Sequence, residues 1–155
     1  MSTSKTHRLL GTISLATLAV LLGGNAPPAP TRVAGTYFVT EQATGTQEFL
    51  TIYADGNVLL NSSAEDEFHF GSSQGVWERN GPRSIVVKVA NFDFDDDGIA
   101  VVDFVLEFDP TFEELTGEFE GALYPDDVDP LDPGDALPIF TFSDVVLGRR
   151  MVSAR

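Results

Sequence analysis

The sequence predicts an all-β fold, an eight-stranded antiparallel up-and-down barrel, on three observations. Between Gly35 and Arg150 eight strand-like runs alternate with clusters of turn-forming residues. No stretch sustains the apolar period of a helix. Within the runs apolar residues recur at alternate positions, giving the dry and wet faces of an antiparallel sheet. Closing eight strands into a barrel removes the exposed edges and can enclose one small ligand. A two-sheet sandwich is the alternative.

The runs follow in order. GTYFVTEQ (35–42) is followed by the turn-rich ATGTQ. EFLTIYA (48–54) meets Asp55-Gly56, a tight hairpin signal, and NVLLNS (57–62) returns. QGVWER (74–79) precedes Asn80-Gly81, and SIVVKVANFDF (84–94) follows. GIAVVDFVLEF (98–108) puts Ala100, Val102, Phe104, Leu106 and Phe108 on one face, with Asp103 and Glu107 opposite. ELTGEFEGALY (114–124) sets Leu115, Gly117, Phe119, Gly121 and Leu123 against Thr116, Glu118 and Glu120. PIFTFSDVVLGRR (138–150) completes the eight.

Residues 31–155 are expected to form this single domain. Residues 1–30 read as a signal peptide and a Pro-rich linker: Lys5 and Arg8 precede the uncharged apolar stretch LLGTISLATLAVLLGG (9–24), and NAPPAPTRVA (25–34) leads into the fold. Sixteen apolar residues fall short of the ~20 that span a bilayer as a helix. Ala26 and Gly24 fit a small-residue cleavage site, but Pro27 would follow the cut, so an uncleaved amino-terminal anchor is the alternative. The protein is thus expected to be exported, to the periplasm or beyond. It has no cysteine, which excludes disulfides and a lipid-modified cysteine, so its core alone must hold the fold.

From Thr31 onward 24 acidic residues face seven Lys and Arg, a net charge of −17. Such a field repels nucleic-acid phosphates and anionic membrane surfaces, and neither is an expected partner. It serves solubility, or it attracts cations.

Two acidic stretches invite a metal reading. In NFDFDDDGIAVVDF (91–104), Asp93, Asp95, Asp97 and Gly98 match the first half of a calcium loop. The bidentate Glu that the loop needs at its twelfth position is replaced by Phe104, and strand-like runs stand where helices should flank it. The EF-hand is rejected. Asp97-Gly98 reads instead as a hairpin turn with Gly98 free to take positive φ, and a weak surface calcium site at Asp93, Asp95 and Asp97 is the minor alternative. No other cofactor is expected. YPDDVDPLDPGDALP (124–138), with five Asp and four Pro, reads as a long rim loop, with calcium binding or a lid over a ligand as alternatives.

Catalytic signatures are scarce. His69, in EFHFGSSQG, is the one histidine after the leader. It could act as a general base beside Glu65, Asp66 or Glu67, or sit on an outer strand face. No G-x-S-x-G elbow, P-loop, dinucleotide fingerprint or zinc set occurs. Twelve Phe, three Tyr and one Trp are the larger signal. They pack cores, and lining a barrel they would also make an apolar pocket.

Gly35-Thr36-Tyr37 opening the first run, Gly75-Val76-Trp77 in the fourth and Gly148-Arg149-Arg150 closing the last are similar to the pattern of calycins. In lipocalin-like barrels a G-x-W on the first strand packs near an arginine from the last; here Tyr37 stands where Trp is usual. Over residues 34–151 the chain also resembles a group of small exported bacterial proteins of unassigned function, which share the G-T-Y start, the D-G hairpin, the G-x-W strand and the closing G-x-R. The resemblance implies a lipocalin-like barrel and supplies no catalytic residue. It implies that Tyr37 meets Arg149 at a closed end, with the choice between Arg149 and Arg150 as the inward side chain left open.

The expected function is therefore binding of a small hydrophobic molecule inside the barrel, with Tyr37, Trp77, Phe104 and Phe119 as candidate contacts. The alternatives are a cyclase or isomerase of the allene oxide cyclase or dirigent type, and a filled structural or interaction module. A buried ionisable group in a deep pocket would favour the enzyme, an entirely apolar cavity simple binding, and no cavity the filled module.

Overall fold

The computed structural model describes residues 32–153. The expected leader at 1–30 lies outside them. Eight strands follow one another: β1 (Gly35–Glu41), β2 (Gln47–Ile52), β3 (Asn57–Ser62), β4 (Ser73–Arg79), β5 (Ser84–Asp93), β6 (Gly98–Phe108), β7 (Glu114–Pro125) and β8 (Phe140–Arg150). Each pairs antiparallel with the next, and β8 returns to pair with β1, so the sheet closes into a barrel. That β1–β8 ladder, with Tyr37 opposite Arg150 and Val39 opposite Gly148, excludes the sandwich.

Alternation decides what lies inside. Tyr37, Leu50, Ile52, Ile85, Leu106 and Leu115, each at most 3 % exposed, turn inward with their strands' apolar parity and form one cluster. Lys88 and Asp103, at opposite parity, pair outside at 2.9 Å.

The turns differ in detail from the tight hairpins expected. Residues 53–56 form a four-residue loop closed by Tyr53 N–H to Asn57 O at 2.9 Å, with Gly56 at φ 97°. At the β5–β6 turn Asp97 takes the positive φ, 47°, and Gly98 does not. Gly98 is small for another reason: a Cβ there would stand 2.7 Å from Tyr124 O. β5 also ends at Asp93, one residue early, because Asp93 Oδ1 caps the turn, accepting the N–H groups of Asp95 (3.0 Å) and Asp96 (2.8 Å).

One end of the barrel is plugged. Arg150 is the arginine that turns inward to meet Tyr37; Arg149, at the opposite parity, lies outside over the Phe38 ring. Arg150 donates to Tyr37 Oη through Nη2 (2.8 Å) and Nε (3.2 Å), and Nη2 also reaches Ala34 O at 2.9 Å. Tyr37 Oη donates onward to Val33 O at 3.0 Å. Phe108 meets the Tyr37 ring edge-on at 5.5 Å and stacks on Phe112 at 5.8 Å, closing the floor. The phenol's burial pushes its pKa up, opposed by the Arg150 hydrogen bond.

The strands are unequal. β6, β7 and β8 run eleven or twelve residues, but β2 and β3 only six. The low side of the other end is topped by the β3–β4 connection, residues 63–72. It is held by Gly71 N–H to Phe92 O and Phe94 N–H to His69 O, both 2.9 Å.

Candidate functional site: a two-sided cavity at the open end

Opposite the plug the interior widens into a cavity of about 490 Å³. Small inward residues on the long strands shape it: Ala100 on β6 lines it, and at Gly121 on β7 the room is taken by Phe142, whose Cζ would stand 2.3 Å from a Cβ there. That room lets the Phe142 ring lie across the mouth beside Phe119 (6.2 Å) and Phe140 (5.9 Å).

The walls are chemically unlike. Ala100, Val102 and Phe104 of β6, Phe119 and Leu123 of β7, and Phe142 of β8 make an apolar side, with Phe104 and Phe119 tilted together at 5.2 Å. Across from them β2 to β5 present Glu48, Ser62, Ser73 and Asn91. Asn91 Nδ2 donates to Ser73 Oγ at 2.9 Å, while Asn91 Oδ1 is buried with no partner.

Glu48 is the unusual member. It is 6 % exposed, and its Oε2 also lacks a hydrogen-bond partner. β2 places it there because Glu48, Leu50 and Ile52 share the inward parity. Loss of hydration, then the charge and hydrogen bond of Glu41 on β1, push its pKa up to about 8. At neutral pH it is a protonated acid in a largely apolar chamber. Buried polar atoms are nearly always satisfied, so two orphans on residues that line one cavity call for an explanation.

The mouth is acidic. Glu41, Glu67, Asp93, Asp95 and Asp96 line it with Phe68, Phe70 and Phe140, and no lysine or arginine does.

The residues singled out from the sequence separate. Phe104 and Phe119 line the cavity. Tyr37 sits in the plug, and Trp77 packs against the core near the same end, its Nε1–H donating to Tyr53 O at 2.8 Å; neither lines the cavity. Asp93, Asp95 and Asp97 do not share one strand, since β5 ends at Asp93; Asp93 and Asp95 line the mouth and Asp97 does not. Among the described residues no group of three or more His, Cys, Asp or Glu converges as a metal site. His69 lies on the surface with φ 49° and donates from Nδ1 to Asp95 Oδ1 at 2.9 Å. That bond, then the Asp95 charge, raises its pKa. The pair fastens the 63–72 segment to the β5–β6 turn, with Asp95 lining the mouth and His69 outside the lining.

The Pro-rich loop between β7 and β8 lines the inner cavity nowhere. Pro130, Leu131 and Pro133 instead border a groove on the outer wall with Lys88, Asp103 and Tyr124. Asp129 spends a carboxylate oxygen on the Leu131 N–H at 3.0 Å, within a run of local turns.

Sequence reasoning passed over Glu48, Ser73 and Asn91. The signal for Asn91 was available: Ile85, Val87 and Val89 share its parity, with Lys88 fixing the outside. No family model, curated protein or solved structure matches the chain.

Proposed function

We propose that the barrel is a binding protein that takes up a small, mostly apolar molecule through its acidic mouth, and that it works outside the cytoplasm. The observation that carries this is the open-ended cavity of about 490 Å³ with Phe104, Phe119 and Phe142 on one wall. Ligand pockets are concave and mainly apolar with a few placed polar groups, and this chamber has that composition. A filled structural module would have no such space. The plug of Tyr37 and Arg150 supports a lipocalin-like architecture, with those residues as its floor rather than its ligand contacts.

Native mass spectrometry of the protein, purified gently from its own cells, tests the reading directly. The expected result is an organic adduct of a few hundred daltons that survives a chelator. In parallel, the fluorescence of N-phenylnaphthylamine should rise on mixing with the protein. The substitution Ala100→Phe, which fills the chamber from β6, should abolish that rise while cooperative unfolding persists. Undiminished probe binding in Ala100→Phe would move the site elsewhere and defeat the proposal.

Glu48 favours one second reading. A carboxylic acid titrating near 8 in a water-poor chamber is matched to proton transfer at neutral pH, as an isomerase or cyclase requires. Conversion of a bound molecule that stops in Glu48→Gln would support catalysis over storage or transport.

A further inference from the structure

We infer that the molecule held in the barrel is a lipophilic amine whose protonated nitrogen sits against Glu48 and Asn91 while its hydrocarbon body lies on β6 to β8. This rests on the binding reading above and names the class of ligand.

The argument begins with the two orphaned atoms. Glu48 Oε2 and Asn91 Oδ1 belong to residues that line the cavity; both are buried without partners, and both are oxygens. An amide oxygen is only an acceptor, so Asn91 asks the ligand for a donor. Its own Nδ2 is already engaged with Ser73. Once ionised, Glu48 is likewise an acceptor, and it sits beside a second carboxyl, Glu41, across the β1–β2 ladder. Two carboxyls crowded in a desolvated place resist double ionisation, and a cation relieves that directly.

The rest of the entrance agrees. Glu41 and Glu67 come from β1 and the 63–72 segment, while Asp93, Asp95 and Asp96 come from the end of β5 and its turn. Inward Asp144 on β8 is spent on the Ala43 N–H, at 2.9 and 3.1 Å. The one nearby base, His69, is turned to Asp95 outside the lining. A fatty acid or another organic anion would meet like charge at the mouth. A neutral hydrocarbon would leave both orphans unsatisfied. An alkyl ammonium supplies three donors and one positive charge, which Asn91 Oδ1 and an ionised Glu48 would accept. The opposite wall, built from Val102, Phe104, Phe119, Leu123 and Phe142, offers the body an aromatic surface on which a cation's adjacent methylenes also rest well.

Binding is then coupled to a proton. Free Glu48 is protonated at neutral pH, and the ammonium must displace that proton to form an ion pair. The Glu48 acid competes below about pH 8, so amine affinity should rise with pH, by up to about tenfold per unit, until Glu48 is ionised in the free protein. An alkyl ammonium itself stays charged to about pH 10, as lysine does. Glu41, Glu67, Asp93, Asp95 and Asp96 also face this end of the barrel, and His69 beside Asp95 loses its own charge as pH rises and adds a minor change in the same direction.

The experiment is a competition in about 0.15 M salt, where long-range surface attraction is screened. Decylamine, decanol and decanoate, matched in chain, each displace N-phenylnaphthylamine from the full protein at pH 6, 7 and 8. The expected result at pH 8 is that decylamine binds at least tenfold more tightly than decanol and that decanoate is weakest. The amine-to-alcohol ratio should grow from pH 6 to pH 8. In Glu48→Gln the ratio should collapse toward one and lose its pH dependence, whatever that variant's absolute affinity for decanol. Equal binding of amine and alcohol by the unaltered protein overturns the inference and leaves the binding barrel standing. An amine preference that survives Glu48→Gln assigns the selectivity to the acidic mouth and overturns the role given to Glu48. Absence of probe binding altogether overturns the barrel reading itself. If Glu48→Gln does not fold, calorimetry of decylamine binding to the unaltered protein in two buffers of different ionisation enthalpy answers the same question. A proton released per amine bound supports the ion pair, and none released refutes it.

Discussion

Glutamine at position 48 would keep the shape of the side chain and remove its charge, which isolates what a buried carboxyl does to stability. In the folded protein Glu48 titrates at about 8, against an ordinary 4.5. Between those values the native state holds a proton that the unfolded chain has released. A folded-state pKa raised in this way contributes stability that is fully present below about pH 4.5 and is lost as pH climbs to about 8. The slope is about 1.4 kcal/mol per pH unit, so the whole window is worth on the order of 4–5 kcal/mol. Relaxation of the protein and water entry around the charged form make that an upper bound. Urea unfolding of the unaltered protein and of Glu48→Gln across roughly pH 5 to pH 9 measures it, because every other titrating group cancels in the difference. The two should be close at the acid end. Glu48→Gln should become progressively the more stable, by a few kcal/mol, and the gap should level off above about pH 8. Parallel curves over the whole range would refute the burial argument and, with it, the protonated acid in the chamber.

Other outcomes follow from the plug and the turn. Arg150→Ala removes the donors that satisfy Tyr37 Oη and Ala34 O and should cost about 2–3 kcal/mol, whereas Arg149→Ala, which loses only an exposed stacking contact, should cost less than about 1 kcal/mol; equal losses in thermal melts would contradict the assignment. Asp93→Ala should lower stability by about 1 kcal/mol through two lost turn hydrogen bonds, to the same extent in a chelator and in millimolar calcium. A loss seen only with calcium present would restore a cation to that turn.

The eight strands were legible because their composition is consistent. In β6 and β7 most outward positions, Asp103 and Glu107 and then Glu114, Thr116, Glu118 and Glu120, carry charge or hydroxyl, with Val105 the exception, so parity was readable and Phe104 and Phe119 could be assigned a face. β2 was different. Its two faces read Glu48-Leu50-Ile52 and Phe49-Thr51-Tyr53, and each mixes polar with apolar residues. Local hydrophobicity favours putting Phe49 inside, yet it is 47 % exposed and lies against Phe38 on the outer surface at 5.7 Å. Only the register with β1 and β3, set by the whole barrel, turns Glu48 inward. The arginine at the floor was ambiguous for a related reason, since Arg149 and Arg150 are adjacent and parity had no anchor until Val146 and Gly148 were seen inside. At the β5–β6 turn, alternate spacing implies a shared strand face only while the strand lasts, and this strand stops at Asp93.

An up-and-down barrel with an even number of strands starts and finishes at the same rim. Here Gly35 and Arg150 meet at the plugged rim, with Arg150 bonded to the backbone of Arg32 and Ala34. The described chain therefore enters and leaves the barrel at one rim, and the mouth with its carboxylates stands at the other, clear of both crossings.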